Sequence, residues 1–297
     1  MRVRGQIGDE LAERLFAEAF EAGASGSAAT EVAGAAADSE DEIVVYAPLA
    51  VAERVRVAIR SSAPAAIDVG PVEELEDVDW SERWRRGIAA TVVSPRLVIR
   101  PPFVQHPLVA EQREVVIDPG QAFGTGGHAS TQLALEWLDE LAAVRTPERV
   151  LDVGTGSGVL ALAALRLGAG TAVGFDLDPL AAPEARRAAR ANGLAHRLAT
   201  FTGPIDALAP DVRFDLVLVN LLSSECLPLL VAIAARLEEG RGRAVFSGLL
   251  ACEEVAVESA LAAAGLRVLA RRALCDERGD DWIALATSHP RRSSGPR

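Results

Sequence analysis

Val150-Leu-Asp-Val-Gly154-Thr-Gly156-Ser-Gly158 is the most informative stretch of this chain. A mostly apolar run, Arg149–Val153, ends in three glycines at alternate positions, and an apolar helical pattern, Val159–Leu167, starts directly after them. A strand that turns through glycines into a helix opens a βαβ unit, because glycine lets the backbone turn tightly and come close to a ligand. In the dinucleotide fingerprint the third glycine lies three residues after the second. Here that position is Val159, and Gly158 comes one residue too early. The spacing therefore argues against a pyrophosphate cradle. D-x-G-x-G-x-G, counted from Asp152, suits a cofactor that presents a carboxylate, an amine and a sulfonium instead.

Working outward, the pattern alternates helix and strand. A helix over Thr131–Ala143 precedes the strand. After Val159–Leu167 come strand Thr171–Asp176, helix Ala182–Asn192, strand Phe214–Asn220, helix Ser224–Leu237, strand Arg243–Leu249 and helix Glu253–Ala264. Strands Leu266–Leu274 and Trp282–Thr287 close the domain as an antiparallel hairpin, which points away from a dehydrogenase. The strands are nearly continuous apolar runs, as a parallel sheet covered on both faces requires. Asp176 ends the second strand, 22 residues after Gly154, where a carboxylate can accept hydrogen bonds from both hydroxyls of a ribose. Together, the glycine loop (Gly154, Gly156) and Asp176 point to S-adenosylmethionine. Asp178, before Pro179, reads as a helix N-cap. Asn220 closes the strand Phe214–Asn220, at a strand C-terminus, where open α/β folds bind ligands. Its amide carbonyl there can orient an amine nucleophile or the methionyl end of the cofactor.

Upstream lies Ile117-Asp118-Pro-Gly120-Gln-Ala-Phe123-Gly124-Thr125-Gly126-Gly127-His128-Ala-Ser130-Thr131, with four glycines in eight residues feeding a helix. Thr131 can cap that helix or bond a ligand carboxylate. Phe123 offers an aromatic face to a methyl sulfonium. His128, with no evident partner for base chemistry, reads as a structural hydrogen bonder. Farther upstream, residues 91–117 carry short strands at Thr91–Val93, Leu97–Arg100 and Glu114–Ile117.

The first 70 residues read βαββαβ, the ferredoxin-like order. The expected elements are strand Arg2–Ile7, an Asp9-capped helix Glu10–Ala22, strands Ala28–Val32 and Glu42–Ala47, helix Val51–Ile59 and strand Ala66–Gly70. Residues 71–90 read as an acidic linker and a short helix at Trp80–Trp84, and residues 289–297 as a disordered tail. The chain has 297 residues and a net charge of −12, and all 30 of its basic residues are arginine. Residues 1–79 hold 17 carboxylates against 6 arginines, which leaves the other 218 near neutrality. Without a basic stripe a nucleic-acid partner is not expected, whereas a basic protein partner suits the acidic first segment. No run of 18 apolar residues marks a membrane span, and Met1–Glu10 lacks the features of a secretory signal. Cys226, Cys252 and Cys275 are too scattered for a disulfide framework or a zinc cluster, so a reducing cytoplasm and no metal are expected.

Asp118–Thr131, Leu151–Val159, Gly174–Pro179 and Val219-Asn220-Leu221-Leu222 together resemble the ribosomal protein L11 methyltransferase (PrmA) family. Trp80–Trp84, the βαββαβ start and the terminal Asp281-Trp282-Ile-Ala-Leu extend the likeness over nearly the whole chain. Departures are His128-Ala-Ser130-Thr131 where the family has His-Pro-Thr-Thr, and Asn220-Leu221-Leu222 where it has Asn-Ile-Leu. The resemblance implies a ferredoxin-like substrate-recognition domain (1–70) followed by a class I methyltransferase domain (91–288). It places cofactor contacts on Thr131, Gly154, Asp176 and Asn220. It implies methyl transfer from S-adenosylmethionine to lysine ε-amines of ribosomal protein L11, the N-terminal α-amine being a further candidate acceptor, with Asn220 orienting and no dedicated base. The alternatives are a related methyltransferase acting on another protein lysine or a small amine, and a protein that binds S-adenosylmethionine without catalysis. The sequence sets no oligomeric state, and a monomer is the simplest expectation.

Overall fold

The computed structural model describes residues 1–5, 7, 9–30, 41–74, 88–119 and 126–289. The chain divides into two compact units, Met1–Arg86 and Gly87–Arg297. Trp80–Trp84, Phe123 and residues 290–297 of the expected tail lie outside the described residues.

The first unit runs β1 (Arg2–Gly5), α1 (Asp9–Glu21), β2 (Gly26–Thr30), β3 (Asp41–Tyr46), α2 (Leu49–Ser62) and β4 (Asp68–Val69). Its sheet has the order β2-β3-β1-β4, with every neighbouring pair antiparallel. That is the split βαβ arrangement expected from the element order. Val3, Ile43, Val45 and Val69 from the strands pack with Leu15 and Ala19 of α1 and with Val55 and Ile59 of α2. Both helices start before their expected positions. α1 includes Asp9, and α2 begins directly behind Pro48, whose φ of −56° already suits a helix start.

The second unit opens with a small sheet of β5 (Thr91–Val92), β6 (Leu97–Arg100) and β7 (Arg113–Val116). Its remaining elements are α3 (Ala129–Val144), β8 (Arg149–Val153), α4 (Val159–Arg166), β9 (Thr171–Asp176), α5 (Ala181–Ala191), β10 (Leu198–Thr202), β11 (Leu216–Asn220), α6 (Ser223–Cys226), α7 (Leu230–Arg236), β12 (Arg243–Leu250), α8 (Glu254–Ala263), β13 (Arg267–Cys275) and β14 (Asp281–Ser288). The seven-stranded sheet has the order β10-β9-β8-β11-β12-β14-β13. β10, β9, β8, β11 and β12 run parallel, and β14 runs antiparallel to both of its neighbours. Alternate residues face opposite layers, as the pleat dictates. Val150, Leu216, Leu218, Val245 and Ala284 join α3 and α4 in one core, while Leu151, Val153, Val217, Val219, Phe246 and Ile283 join α7 and α8 in the other. The small sheet is tied on by Asn192, whose amide accepts from Val116 N (2.9 Å) and donates to Val116 O (2.7 Å).

Two features depart from expectation. The helix expected over Ser224–Leu237 is interrupted: a 3-10 turn at Leu227–Leu229 separates α6 from α7, because Pro228 removes an N–H and its ring crowds the preceding turn. β10 was not expected at all, because its Leu198-Ala-Thr-Phe-Thr is short and half-exposed at the sheet edge. There Phe201 stacks on Phe175 with ring centroids 5.4 Å apart. The closing hairpin lies at the end of the sheet as expected, with β14 against β12 and β13 at the edge. Among the described residues no helix is long and apolar enough to cross a membrane.

Candidate active site

The glycine loop sits at the C-terminal end of β8, in the middle of the parallel strands. Gly154, Gly156 and Gly158 have φ values of +69°, +50° and +81°, a region that other residues enter only with strain. Space is also short. A Cβ at Gly154 would stand 2.5 Å from Leu221 Cδ2, and one at Gly158 would stand 2.9 Å from Ala185 Cβ on α5. Gly154 N and Thr155 N both donate to Phe175 O of β9, at 3.0 and 2.9 Å. The loop is thereby held beside Asp176. Gly156 N donates to Asp176 Oδ2 at 2.9 Å, and Asp178 N donates to Asp176 Oδ1 at 3.0 Å. A carboxylate has about four acceptor positions, so each Asp176 oxygen keeps capacity for a hydroxyl donor.

Asp152 is the buried member of the loop, 1% exposed. Its Oδ2 accepts from Thr155 Oγ1 at 2.8 Å and from Ala161 N at 3.2 Å. Burial pushes its carboxyl up to about 7 against the pull of those two donors, and the neighbouring Asp176 charge adds to the rise.

Across the loop stands the first turn of α3. His128 is its N-cap: Nδ1 accepts from Ser130 N (3.3 Å) and lies 2.8 Å from Ser130 Oγ. The structural role expected of His128 is therefore the observed one. Thr131 is not the cap. It is fully buried one turn in, and its Oγ1 accepts a hydrogen bond from Asn220 Nδ2 at 3.1 Å. Asp178 is likewise not the N-cap of α5, which begins at Ala181 behind Leu180. Its Oδ1 accepts from Leu180 N at 2.8 Å and shapes the turn that leads into the helix.

These parts enclose a cavity of about 400 Å³, within the size range of small-molecule sites. Gly154, Gly156, Asp176 and Asn220 all line it, so four of the six expected cofactor residues converge on one space. Thr131 stands behind Asn220 and does not line the cavity, and Phe123 lies outside the described residues. The lining also includes Asp152, His128 and Trp282, which were not assigned to the cofactor from sequence. Asp152 carried a usable signal, as the acid that opens the glycine motif. Trp282 carried only its place in the terminal Asp281-Trp282-Ile-Ala-Leu run, because the position of β14 beside β12 is what brings it against His128, with ring centroids 4.8 Å apart. Of the three free cysteines, Cys226 is buried, and burial pushes its thiol up to about 11.

The family description "Ribosomal protein L11 methyltransferase (PrmA)" matches residues 17–289. The chain belongs to the ribosomal protein L11 methyltransferase family. A curated relative of that name from Symbiobacterium thermophilum is 38% identical over 234 residues, covering 78% of this chain and 73% of that protein. Another, from Thermus thermophilus, is 39% identical over 229 residues, covering 75% and 84%. The crystal structure of a ribosomal protein L11 methylase from Lactobacillus delbrueckii subsp. bulgaricus superposes with a TM-score of 0.60 at 32% identity, covering 68% of this chain and 100% of that one. This member of the L11 methyltransferase family thus has a class I methyltransferase fold, with its glycine loop at the expected strand end and methyl transfer as its reaction class.

Proposed function

We propose that this protein transfers methyl groups from S-adenosylmethionine to amines of ribosomal protein L11, both lysine ε-amines and the N-terminal α-amine. The observation that carries the cofactor is Asp176: a carboxylate at a strand end, pinned by Gly156 N and Asp178 N, with acceptor capacity left for two ribose hydroxyls. A second fit is Asn220 Oδ1, a buried acceptor without a partner among the described residues, at a place where an amine can donate. When bound, S-adenosylmethionine supplies a methyl group on a sulfonium, activated for in-line displacement.

The chain's own residues then have three tasks. Asp176 would hold the ribose hydroxyls, with Gly154 and Gly156 leaving room beside it for the rest of the cofactor. Asn220 orients an amine by accepting its N–H. Leu222 and Trp282 bring apolar surface to the cavity lining, which disfavours a charged lysine and lowers its pKa. The acceptor must arrive neutral, and no dedicated base is invoked. Alignment of this kind is worth about 7–11 kcal/mol of barrier. Residues 1–70 serve as the substrate-recognition domain, 71–90 as an acidic linker and 91–288 as the catalytic domain. A ribosomal-protein substrate places the reaction in the cytoplasm.

The test is incubation of the full-length protein with L11 and trideuteromethyl-labelled S-adenosylmethionine, read by mass spectrometry. Label on L11 amines is expected. Label on another protein of a cell extract and none on L11 would replace the substrate. Calorimetric binding of S-adenosylmethionine with no label on any amine would leave a binding protein.

A further inference from the structure

The first turn of α3 is stitched to three strands. Ser247 Oγ on β12 donates to Ser130 O at 2.7 Å, Asn220 Nδ2 at the end of β11 donates to Thr131 Oγ1 at 3.1 Å, and Trp282 on β14 meets the His128 ring edge-to-face. Only one of these links places a side-chain amide between the buried turn and the cavity: Asn220 lines the cavity and Thr131, fully buried, does not. An amide has two unlike ends. Here Nδ2 is engaged by Thr131, and Oδ1 is a buried acceptor without a partner among the described residues. A buried acceptor left unpaired is costly, so it marks where a donor belongs.

We infer that Thr131 is a positioning residue for methyl transfer: its hydroxyl anchors the Asn220 amide by accepting from Nδ2, and the amide so anchored presents Oδ1 to an amine N–H. The inference rests on the function proposed above and assigns Thr131 a role through Asn220 in place of direct contact with the cofactor. The reversed amide would set its NH₂ against an amine that is itself a donor. Where that NH₂ reached the amine nitrogen, it would engage the lone pair needed for attack. The amine that Oδ1 receives has two sources, the methionyl amine of S-adenosylmethionine and the acceptor amine of the protein substrate. Both are N–H donors, and binding and turnover tell them apart.

Thr131→Val keeps the shape of the side chain and removes the hydroxyl, whereas Thr131→Ser keeps the hydroxyl and removes the methyl. A packing role ranks Val above Ser, and a positioning role ranks Ser above Val. In the full-length protein, Thr131→Val should slow methylation of L11 on the order of tenfold, with Thr131→Ser within about threefold of the parent. In an Asn220→Ala background Thr131→Val should add nothing, because both act through one amide. Two readouts do not depend on turnover. The Asn220 side-chain NH₂ signal in ¹⁵N NMR, identified by its loss in Asn220→Ala, should move in Thr131→Val and stay in Thr131→Ser. Calorimetry with S-adenosylmethionine then assigns the amine: a weakened affinity in Thr131→Val points to the cofactor's amine, and an unchanged affinity with a lower kcat points to the acceptor's. Valine outranking serine, additivity with Asn220→Ala, or an unmoved NH₂ signal in Thr131→Val would each overturn the inference. A parent protein that leaves L11 unlabelled would instead count against the proposed substrate, with the NMR arm still deciding the Thr131–Asn220 link.

Discussion

Asp176 and Asp152 are close neighbours with opposite electrostatic tasks. Asp176 is half-exposed at the cavity and bonded by two backbone N–H groups, which suits a standing carboxylate that recognises hydroxyls. Asp176→Ala should remove two hydrogen bonds to a charged acceptor, each worth about 1.5–3 kcal/mol. Affinity for S-adenosylmethionine should fall tenfold or more in calorimetry, with far-UV circular dichroism unchanged. Equal affinity in parent and variant would remove Asp176 from the cofactor site. Asp152 is instead buried, and its carboxyl is raised from 3.8 to about 7 by that burial. Its folded state therefore binds a proton that the unfolded chain has already released between those two values. Stability from this group is present below the unfolded pKa, declines as pH rises through the window, and is lost above about 7. Asp152→Asn abolishes the titration and keeps an acceptor for Thr155 and Ala161. The difference in melting temperature between about pH 5 and about pH 8 should shrink in this variant, because the proton linkage is gone. Identical pH profiles for parent and variant would show that Asp152 is ionised throughout.

At the scale of elements, what the sequence made legible follows burial. β6, β8 and β9 lie at their expected bounds, because short, mostly apolar runs between turn signals match strands covered by the core. Edge positions were harder. β10 is partly exposed along its length and of mixed polarity, and β4 shortens to Asp68–Val69 beside β1. Pro228 was visible in the sequence, yet the apolar spacing on either side continues in helical phase and hid the break. The glycine loop was legible because its need is local: positive φ can be anticipated from residue type. The stitching of α3 to β11, β12 and β14 was not, because it joins residues about 90 to 150 apart through the sheet order. Gly158 joins the two scales, since it starts α4 and lets α5 approach through Ala185. Gly158→Ala adds a Cβ in a left-handed conformation, about 1–2 kcal/mol, and sets it 2.9 Å from the Ala185 Cβ. Urea denaturation should show a loss of at least about 1 kcal/mol. A variant as stable as the parent would show that neither the left-handed backbone nor the contact with Ala185 restricts this position.

At the scale of the molecule, charge and core are divided along the same line. The core of Val3, Ile43, Val55 and Ile59 draws only on the first unit, and the two larger cores draw only on the second. Each unit thus has what a domain needs to fold alone. Most of the negative charge sits in the first, with 18 carboxylates and 9 arginines in residues 1–86, a net of −9 out of −12. A segment of that sign suits a basic protein partner. A chain starting at Gly87 should therefore keep the S-adenosylmethionine affinity of the whole protein, because every residue of the cavity lies in that unit. Its rate of L11 methylation at low substrate should collapse, while a short lysine peptide at high concentration is methylated at the parental rate. Salt supplies the second arm. Attraction between exposed charges is screened beyond about 10 Å at 0.1 M ionic strength, so the KM of the whole protein for L11 should rise steeply with salt and that of the shortened chain should not. Full activity of the shortened chain on intact L11 would show that residues 1–86 do not recruit the substrate. Loss of activity on truncation with a salt-independent KM in the parent would keep recruitment in the first unit and move its cause from charge to apolar contact.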